Sequence, residues 1–416
     1  MTVLLWFTAD LRVEDNAALA LARTLGPVLP LYVADADRVL SGRQWQFVAE
    51  TLAGLRENLA ALGAPLVVRA GRSLPVLERM ALQHRCRHLV HRSPATAGLT
   101  DLAARLGLEV HRTDDAALPA PLPFARVPGV EPGPIPTARG LGLAPDPCPH
   151  RQAGGRTRAL STLETHLGRR PAGPSPLFAR AERAASRLSP YLAQGVLSAA
   201  EVAAAVRAAQ AGAPPDRRPG RGLLQGLGRR AVLLRAAAEA VPPPGPAPTG
   251  RLGAWRAGET GLPFVDACLR YLAATGWLPD RARALVLAVA VHHLGLDWRE
   301  AAAHLGAMST DHDPRLLGPL ARGSAPGAGG RRPRIPDPVA EGLAMDPAGA
   351  MIRAWVPELR RLPDGGALHR PWRWDGARSF LGRHYPEPLV DPVAATRAAR
   401  SGGSARQLDL GLAGRP

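Results

Sequence analysis

Lysine is missing altogether: the 416 residues contain none, so all 52 cationic side chains are arginines. Against 35 acidic residues this leaves a formal net charge of +17. An excess of that size calls for a polyanionic partner, nucleic acid first. A genome rich in G and C would supply the same arginine, alanine, glycine and proline, so composition leaves both explanations open. Cysteine is scarce. Cys86, Cys148 and Cys268 stand far apart and are odd in number, which excludes a disulfide framework and a cysteine metal site. That usage fits a reducing compartment, and no metal site is assigned. Long apolar runs are also missing. The best stretch, residues 284–296, is interrupted by His292-His293 and falls short of the roughly 18 apolar residues a membrane span needs. The opening MTVLLWFTADLRVEDN has too short an apolar run, and acidic residues too early, for a signal peptide. The expectation is a cytoplasmic monomer without membrane contact.

What is present is globular: 46% hydrophobic and 21% charged residues, over a length that implies two domains. Residues 1–113 alternate between strand and helix periods. Apolar runs at 3–7, 28–33, 65–69, 88–91 and 108–111 read as strands. Helical spacing fills 44–62, 74–83 and 99–106, with Asp15 or Asn16 capping a first helix and Gly63 ending the second. Five strands alternating with helices predict a parallel, doubly wound α/β sheet. No glycine-rich dinucleotide fingerprint follows the first strand, where the loop reads Thr8-Ala9-Asp10-Leu11-Arg12. Residues 114–182 are dense in proline and glycine and read as a connector with little regular structure. Residues 183–400 turn all-α, with helices expected at 198–210, 223–240, 264–274, 281–294 and 300–305. Residues 401–416 read as a flexible tail.

Six segments then stand in a fixed order. The first runs from Leu4 to Asn16. Next come Ser186-Arg187-Leu188-Ser189-Pro190-Tyr191-Leu192 and Gly258-Glu259-Thr260-Gly261-Leu262-Pro263-Phe264, with Thr275-Gly276-Trp277-Leu278-Pro279-Asp280-Arg281-Ala282-Arg283 close behind. Asp297-Trp298-Arg299-Glu300, Met345-Asp346-Pro347 with Ile352-Arg353-Ala354-Trp355, and His369-Arg370-Pro371-Trp372 complete the series. In this order the chain resembles the photolyase/cryptochrome family from end to end. The resemblance implies an antenna-type α/β domain, a connector and a helical domain holding FAD. It also implies either light-driven electron transfer from FAD to pyrimidine dimers in DNA or blue-light sensing. No antenna chromophore is assigned, because residues 93–98 hold no carboxylate before Asp101.

By the same resemblance, Ser186, Arg187, Leu188 and Ser189 meet the flavin phosphates, and the serines could equally be helix caps. Arg283 and Asp311 match an ion pair beside the flavin ring, and Asp313 a second carboxylate accepting from the ring's N–H. The three are expected to converge on one rim. Several positions depart from the pattern. Leu317 replaces an asparagine near the reactive nitrogen, and Asp280 replaces another that reaches flavin or substrate. Gln225 stands where an acid bonds the damaged bases, and Gly228 where a tryptophan stacks on them. Base–aromatic stacking is worth roughly 1–3 kcal/mol, so that loss alone weakens dimer binding on the order of tenfold to a hundredfold. Of the family's three relay tryptophans only Trp298 is visible, the others falling near Ala321 and Gly245; Trp298 also suits core packing. Trp277 is either core or a cavity wall. Arg229, Arg230, Arg281 and Arg334 are candidates for DNA phosphate contact, or for a solvated arginine surface.

Overall fold

The computed structural model describes residues 2–35, 41–92, 97–114, 121–169, 177–211, 213–214, 218–236, 249–323, 335–363 and 366–401. It divides into two compact units. One comprises Met1–Pro147, Gln152–Arg169 and Ser186–Gly228; the other comprises Cys148–Arg151, Arg170–Ala185 and Arg229–Pro416.

The first unit is built on β1 (Thr2–Phe7), β2 (Val28–Ala34), β3 (Val67–Ala70), β4 (Cys86–Arg92) and β5 (Glu109–Thr113), all parallel in the order β3-β2-β1-β4-β5. The helices α1 (Ala17–Leu25), α2 (Gly42–Leu62), α3 (Ser73–Gln83) and α4 (Leu99–Leu106) cover both faces. β1 is central, and apolar and buried from Val3 to Phe7, because both of its faces are covered. Val3, Leu5 and Phe7 join Leu19, Trp45, Leu52 and Leu59 in one core, while Leu4 and Trp6 join Val76, Met80 and Leu102 in the other. Of the two capping candidates, Asn16 caps α1, its side chain accepting from Leu19 N–H at 2.9 Å. The expected doubly wound sheet is therefore present, with strand ends shifted by one or two residues.

The segment read as a connector is not without regular structure. It contains α5 (Arg156–Gly168), which buries Ala159 and Leu163. The apolar spacing at 159, 163 and 167 is thin, and the backbone before the helix supplies what the pattern lacks. Gly154 N–H donates to Glu50 at 2.6 Å, and Gly155 N–H to Thr51 Oγ1 at 3.1 Å. A side chain at Gly154 would meet Phe47 O at 2.1 Å, so α2 and this loop approach as closely as only glycine permits. The short helix α7 (Ser189–Ala193), α8 (Ala199–Ala211) and the first half of α9 (Arg221–Ala236) complete this unit.

The loop after β1 is closed by the chain itself. Leu11 N–H donates to Gln194 O at 3.1 Å, and buried Arg12 donates to Gly195 O at 3.0 Å. Gly195 has φ 63°, and a Cβ there would sit 2.1 Å from Ala9 O. The end of β1, where a dinucleotide-binding sheet would place its ligand, is packed by the chain's own backbone.

The second unit is helical: α6 (Leu177–Ala184), α10 (Thr249–Ala257), α11 (Pro263–Thr275), α12 (Asp280–Ala288), α13 (Trp298–Met308), α14 (Pro314–Gly323), α15 (Pro338–Met345), α16 (Ala350–Trp355), α17 (Gly366–His369), α18 (Ala377–Phe380) and α19 (Pro392–Arg400). Its core gathers Trp255, Cys268, Leu272, Leu278, Val286, Leu305, Ile352 and Leu368 around α11. The helix expected at 281–294 is not one α-helix. It changes at Val289–His293 to a π-turn, with Leu294 N–H bonding Val289 O. The wider turn carries two histidines inward. His293 Nε2 meets Thr396 Oγ1 at 3.0 Å, and burial pushes this imidazole down to about 4, so it is neutral. The expected end of α9 at residue 240, the proline run after it and the tail at 402–416 lie outside the described residues.

Candidate flavin site

The strongest site geometry lies where α12 begins and where the loop between α13 and α14 turns. Arg283 Nη2 donates to both oxygens of Asp311 at 3.1 Å, and to Leu278 O at 3.4 Å. The two side chains are 14% and 6% exposed, so the pair is shielded from water. Arg283 Nε is buried and has no hydrogen-bond partner. Asp311 is positioned through its neighbour: Thr310 N–H bonds Gly276 O at 2.8 Å. Gly276 has φ 69°, and a Cβ there would lie 2.2 Å from Thr310 Oγ1, so glycine is required for the loop to reach α12. The Oγ1 of Thr310 and the Nδ1 of His312 are buried without hydrogen-bond partners. Burial pushes the His312 imidazole down, against the pull of Asp313 and Asp311. A guanidinium N–H, a hydroxyl and a ring nitrogen are thus buried without hydrogen-bond partners in this segment.

Asp313 faces other partners. Its Oδ1 accepts from Arg315 N–H at 3.1 Å and Nε at 3.0 Å, and its Oδ2 from Arg315 Nη2 at 2.9 Å and Arg230 Nη2 at 3.0 Å. Burial would raise this carboxyl, but the bonds and charge of Arg315, then the charge of Arg230, hold it below the ordinary range. Asp313 is thus clamped between two arginines, and its Oδ1 accepts from Arg315 N–H in the first turn of α14. Arg230, expected on a DNA-facing surface, is only 16% exposed and turned onto Asp313. Arg281 is half-exposed and bonded to Glu341 at 2.7 Å. Asp280 is exposed at the first position of α12. Leu317 is buried in the core, 8% exposed.

Trp277 and Trp298 are 7% and 9% exposed, and both belong to the core of the second unit. Over Trp298 lies the guanidinium of Arg299, 4.7 Å from the ring centroid. Sequence reading passed over Trp255, fully buried with Nε1 donating to Val286 O at 3.2 Å. Trp355, which lies in one of the six segments but was given no role there, has its ring centroid 5.2 Å from that of Tyr271. A lone tryptophan in an alanine-rich helix carries no positional signal in the sequence.

In the first unit, Ser186 Oγ accepts from Leu188 N–H at 3.3 Å. Arg187 takes a left-handed backbone, φ 58°, and its carbonyl accepts from Gln152 Nε2 at 2.8 Å. Leu188 is fully buried, and Ser189 opens α7. A non-glycine residue held in that conformation stores about 1–3 kcal/mol of strain, and nothing in the local sequence announces it. On α9, Gln225, Gly228 and Arg229 are exposed. Arg334 and Gly245 lie outside the described residues, as do residues 93–96 and, for its side chain, Ala321.

Residues 3–112 match the DNA photolyase family model, and residues 234–404 match the model of the FAD binding domain of DNA photolyase. The chain is 30% identical to the deoxyribodipyrimidine photo-lyase of Streptomyces griseus, over 94% of this chain and 96% of that one. It is 37% identical to cryptochrome-2 of Arabidopsis thaliana, over 36% of this chain and 25% of that one. The crystal structure of a Synechocystis cryptochrome superposes with a TM-score of 0.81 at 22% identity, covering 96% of this chain and 98% of that one, which bears on the fold alone. The sheet, the helical unit and these matches define a two-part flavoprotein fold with an FAD-binding domain. The chain belongs to the photolyase/cryptochrome family, and its cofactor is FAD. Among the described residues, no helix is long and apolar enough to cross a membrane.

Proposed function

We propose that this protein is a light-driven flavoenzyme that acts on pyrimidine dimers in DNA. The observation that supports this reading best is the shielded Arg283–Asp311 pair with its unpartnered Nε, inside the segment that matches the FAD-binding domain. A flavin ring presents acceptors along its polar edge and passes through anionic states, and it needs a donor and a fixed positive charge there. Arg283 would supply both. Asp311 keeps that guanidinium oriented and makes its burial tolerable. FAD supplies the light absorption and the transferable electron. Exposed Arg229 would contribute a phosphate contact that weakens with salt. The full-length similarity to a Streptomyces photo-lyase supports the same substrate class.

The second reading is a light sensor or DNA-binding protein without repair, and exposed Gln225 and Gly228 on α9 favour it. Glutamine cannot change its charge to stabilise a damaged base, and glycine offers no stacking surface. The deciding experiment illuminates the flavin-loaded protein with DNA containing pyrimidine dimers and counts the dimers remaining. Light-dependent loss supports the enzyme. A flavin-replete protein that leaves every dimer intact establishes the sensor.

A further inference from the structure

The outer edge of the sheet gathers three metal-type ligands. In the parallel pairing of β4 with β5, His88 lies opposite Glu109 and Val90 opposite His111. Residues two apart on a strand share a face, so Glu109 and His111 stand together beside His88. His88 Nδ1 is 3.2 Å from His111 Nε2 and 3.3 Å from Glu109 Oε2, and His111 Nε2 is 3.6 Å from Glu109 Oε1. The two imidazoles are 15% and 20% exposed, with ring centroids 5.3 Å apart, while the carboxylate is 66% exposed. No other such group of three His, Cys, Asp or Glu side chains occurs among the described residues.

These spacings carry chemistry. A tetrahedral ion bound at about 2.0–2.2 Å holds neighbouring ligand atoms roughly 3.3–3.5 Å apart. The separations of 3.2–3.6 Å are close to that size, with Glu109 meeting His88 through Oε2 and His111 through Oε1, and the exposed carboxylate leaves a fourth position open to water. Two imidazoles and a carboxylate suit Zn²⁺ and its neighbours Ni²⁺ and Cu²⁺, not Mg²⁺ or Ca²⁺, which take oxygen ligands. We propose that His88, Glu109 and His111 form a divalent transition-metal site, of the Zn²⁺ class, that ties edge strand β5 to β4. The strand has reason to be tied. It is the outermost of the sheet and carries exposed residues along its length, and an unprotected edge invites pairing with other chains. The competing explanation is a proton shared between the rings, with Glu109 accepting nearby; that arrangement gains nothing from added metal.

The test uses the full chain, stripped with a chelator and titrated with Zn²⁺ against a chromogenic competitor. One equivalent per chain should bind, raise the thermal midpoint and slow amide exchange in residues 109–113. Co²⁺ in place of Zn²⁺ should give the visible bands of a four-coordinate ion. His88→Gln, His111→Gln and Glu109→Gln should each weaken binding at least about tenfold and abolish those bands. Glu109→Gln changes a mostly exposed side chain, so it keeps the test valid if a histidine variant fails to fold. Absence of saturable binding at one equivalent overturns the proposal, as does affinity unchanged in Glu109→Gln and His111→Gln.

Discussion

Arg283 and Asp311, 28 positions apart, meet in an ion pair in which one guanidinium nitrogen lies 3.1 Å from both carboxylate oxygens. The pair joins the first turn of α12 to the loop before α14, and both side chains are largely withdrawn from water. Removing one partner strands the other, at a cost of about 3–5 kcal/mol. Arg283→Ala and Asp311→Ala should each lose bound FAD, read from the flavin-to-protein absorbance ratio. Their double variant should be less destabilised than the sum of the two, because contacting residues are coupled. Full flavin occupancy in either single variant would overturn the assignment.

Asp313 gives an acid-side prediction. Its carboxyl is held below the ordinary range by Arg315 and Arg230, which outweigh burial. A depressed carboxyl adds stability above its unfolded value of about 3.9, and that contribution is lost as pH falls through the lower folded value. Asp313→Asn should therefore be less stable than wild type at pH 7, with the gap closing below about pH 4. Urea titrations at the two pH values measure it, and a gap independent of pH would contradict the clamp.

Asp266 behaves in the opposite sense. It is buried in α11 and accepts from Thr260 N–H at 2.8 Å, Thr260 Oγ1 at 2.6 Å, Gly261 N–H at 3.1 Å and Tyr385 OH at 2.5 Å. Burial pushes it up to about 6, against these donors. Its protonated form adds stability in full below about 3.9, and this is lost as pH rises through about 6. Tyr385→Phe removes a donor that matters most to the ionised form, at roughly 1–3 kcal/mol. The deficit against wild type should be larger at pH 7.5 than at pH 4.5. Equal deficits would show that the carboxyl does not titrate there.

α9 carries Gly226 and Gly228 where a Cβ would meet nothing within 4 Å. Replacing either by alanine should stabilise the helix by up to about 1 kcal/mol, read as a higher thermal midpoint. A larger side chain at Gly228 likewise meets no clash at its Cβ. Gln225→Glu with Gly228→Trp should tighten binding to dimer-containing DNA on the order of tenfold to a hundredfold. Unchanged affinity in a folded double variant would place dimer recognition away from this helix.

The fold was legible because periodicity is local. An apolar run at residues 3–7, helical spacing at 44–62 and a stop at Gly63 are each set by neighbours in sequence, and the parallel sheet follows from their alternation. The Arg283–Asp311 pairing was legible only through the resemblance of whole segments, since no local rule links positions that far apart. Helix α5 was missed because its face is sparse and its position is fixed by hydrogen bonds to α2.

Sequence alone determined the strands and helices of the sheet, the α/β-then-helical order and the family, since each rests on residues close together in the chain or on their order along it. Only tertiary structure decided that Asp313 bonds Arg230 and Arg315, that Arg187 is held left-handed, and that His88, Glu109 and His111 share one edge of the sheet. Those outcomes depend on which distant groups burial brings within about 3 Å of one another, a distance at which a carboxylate can be claimed by one arginine or another.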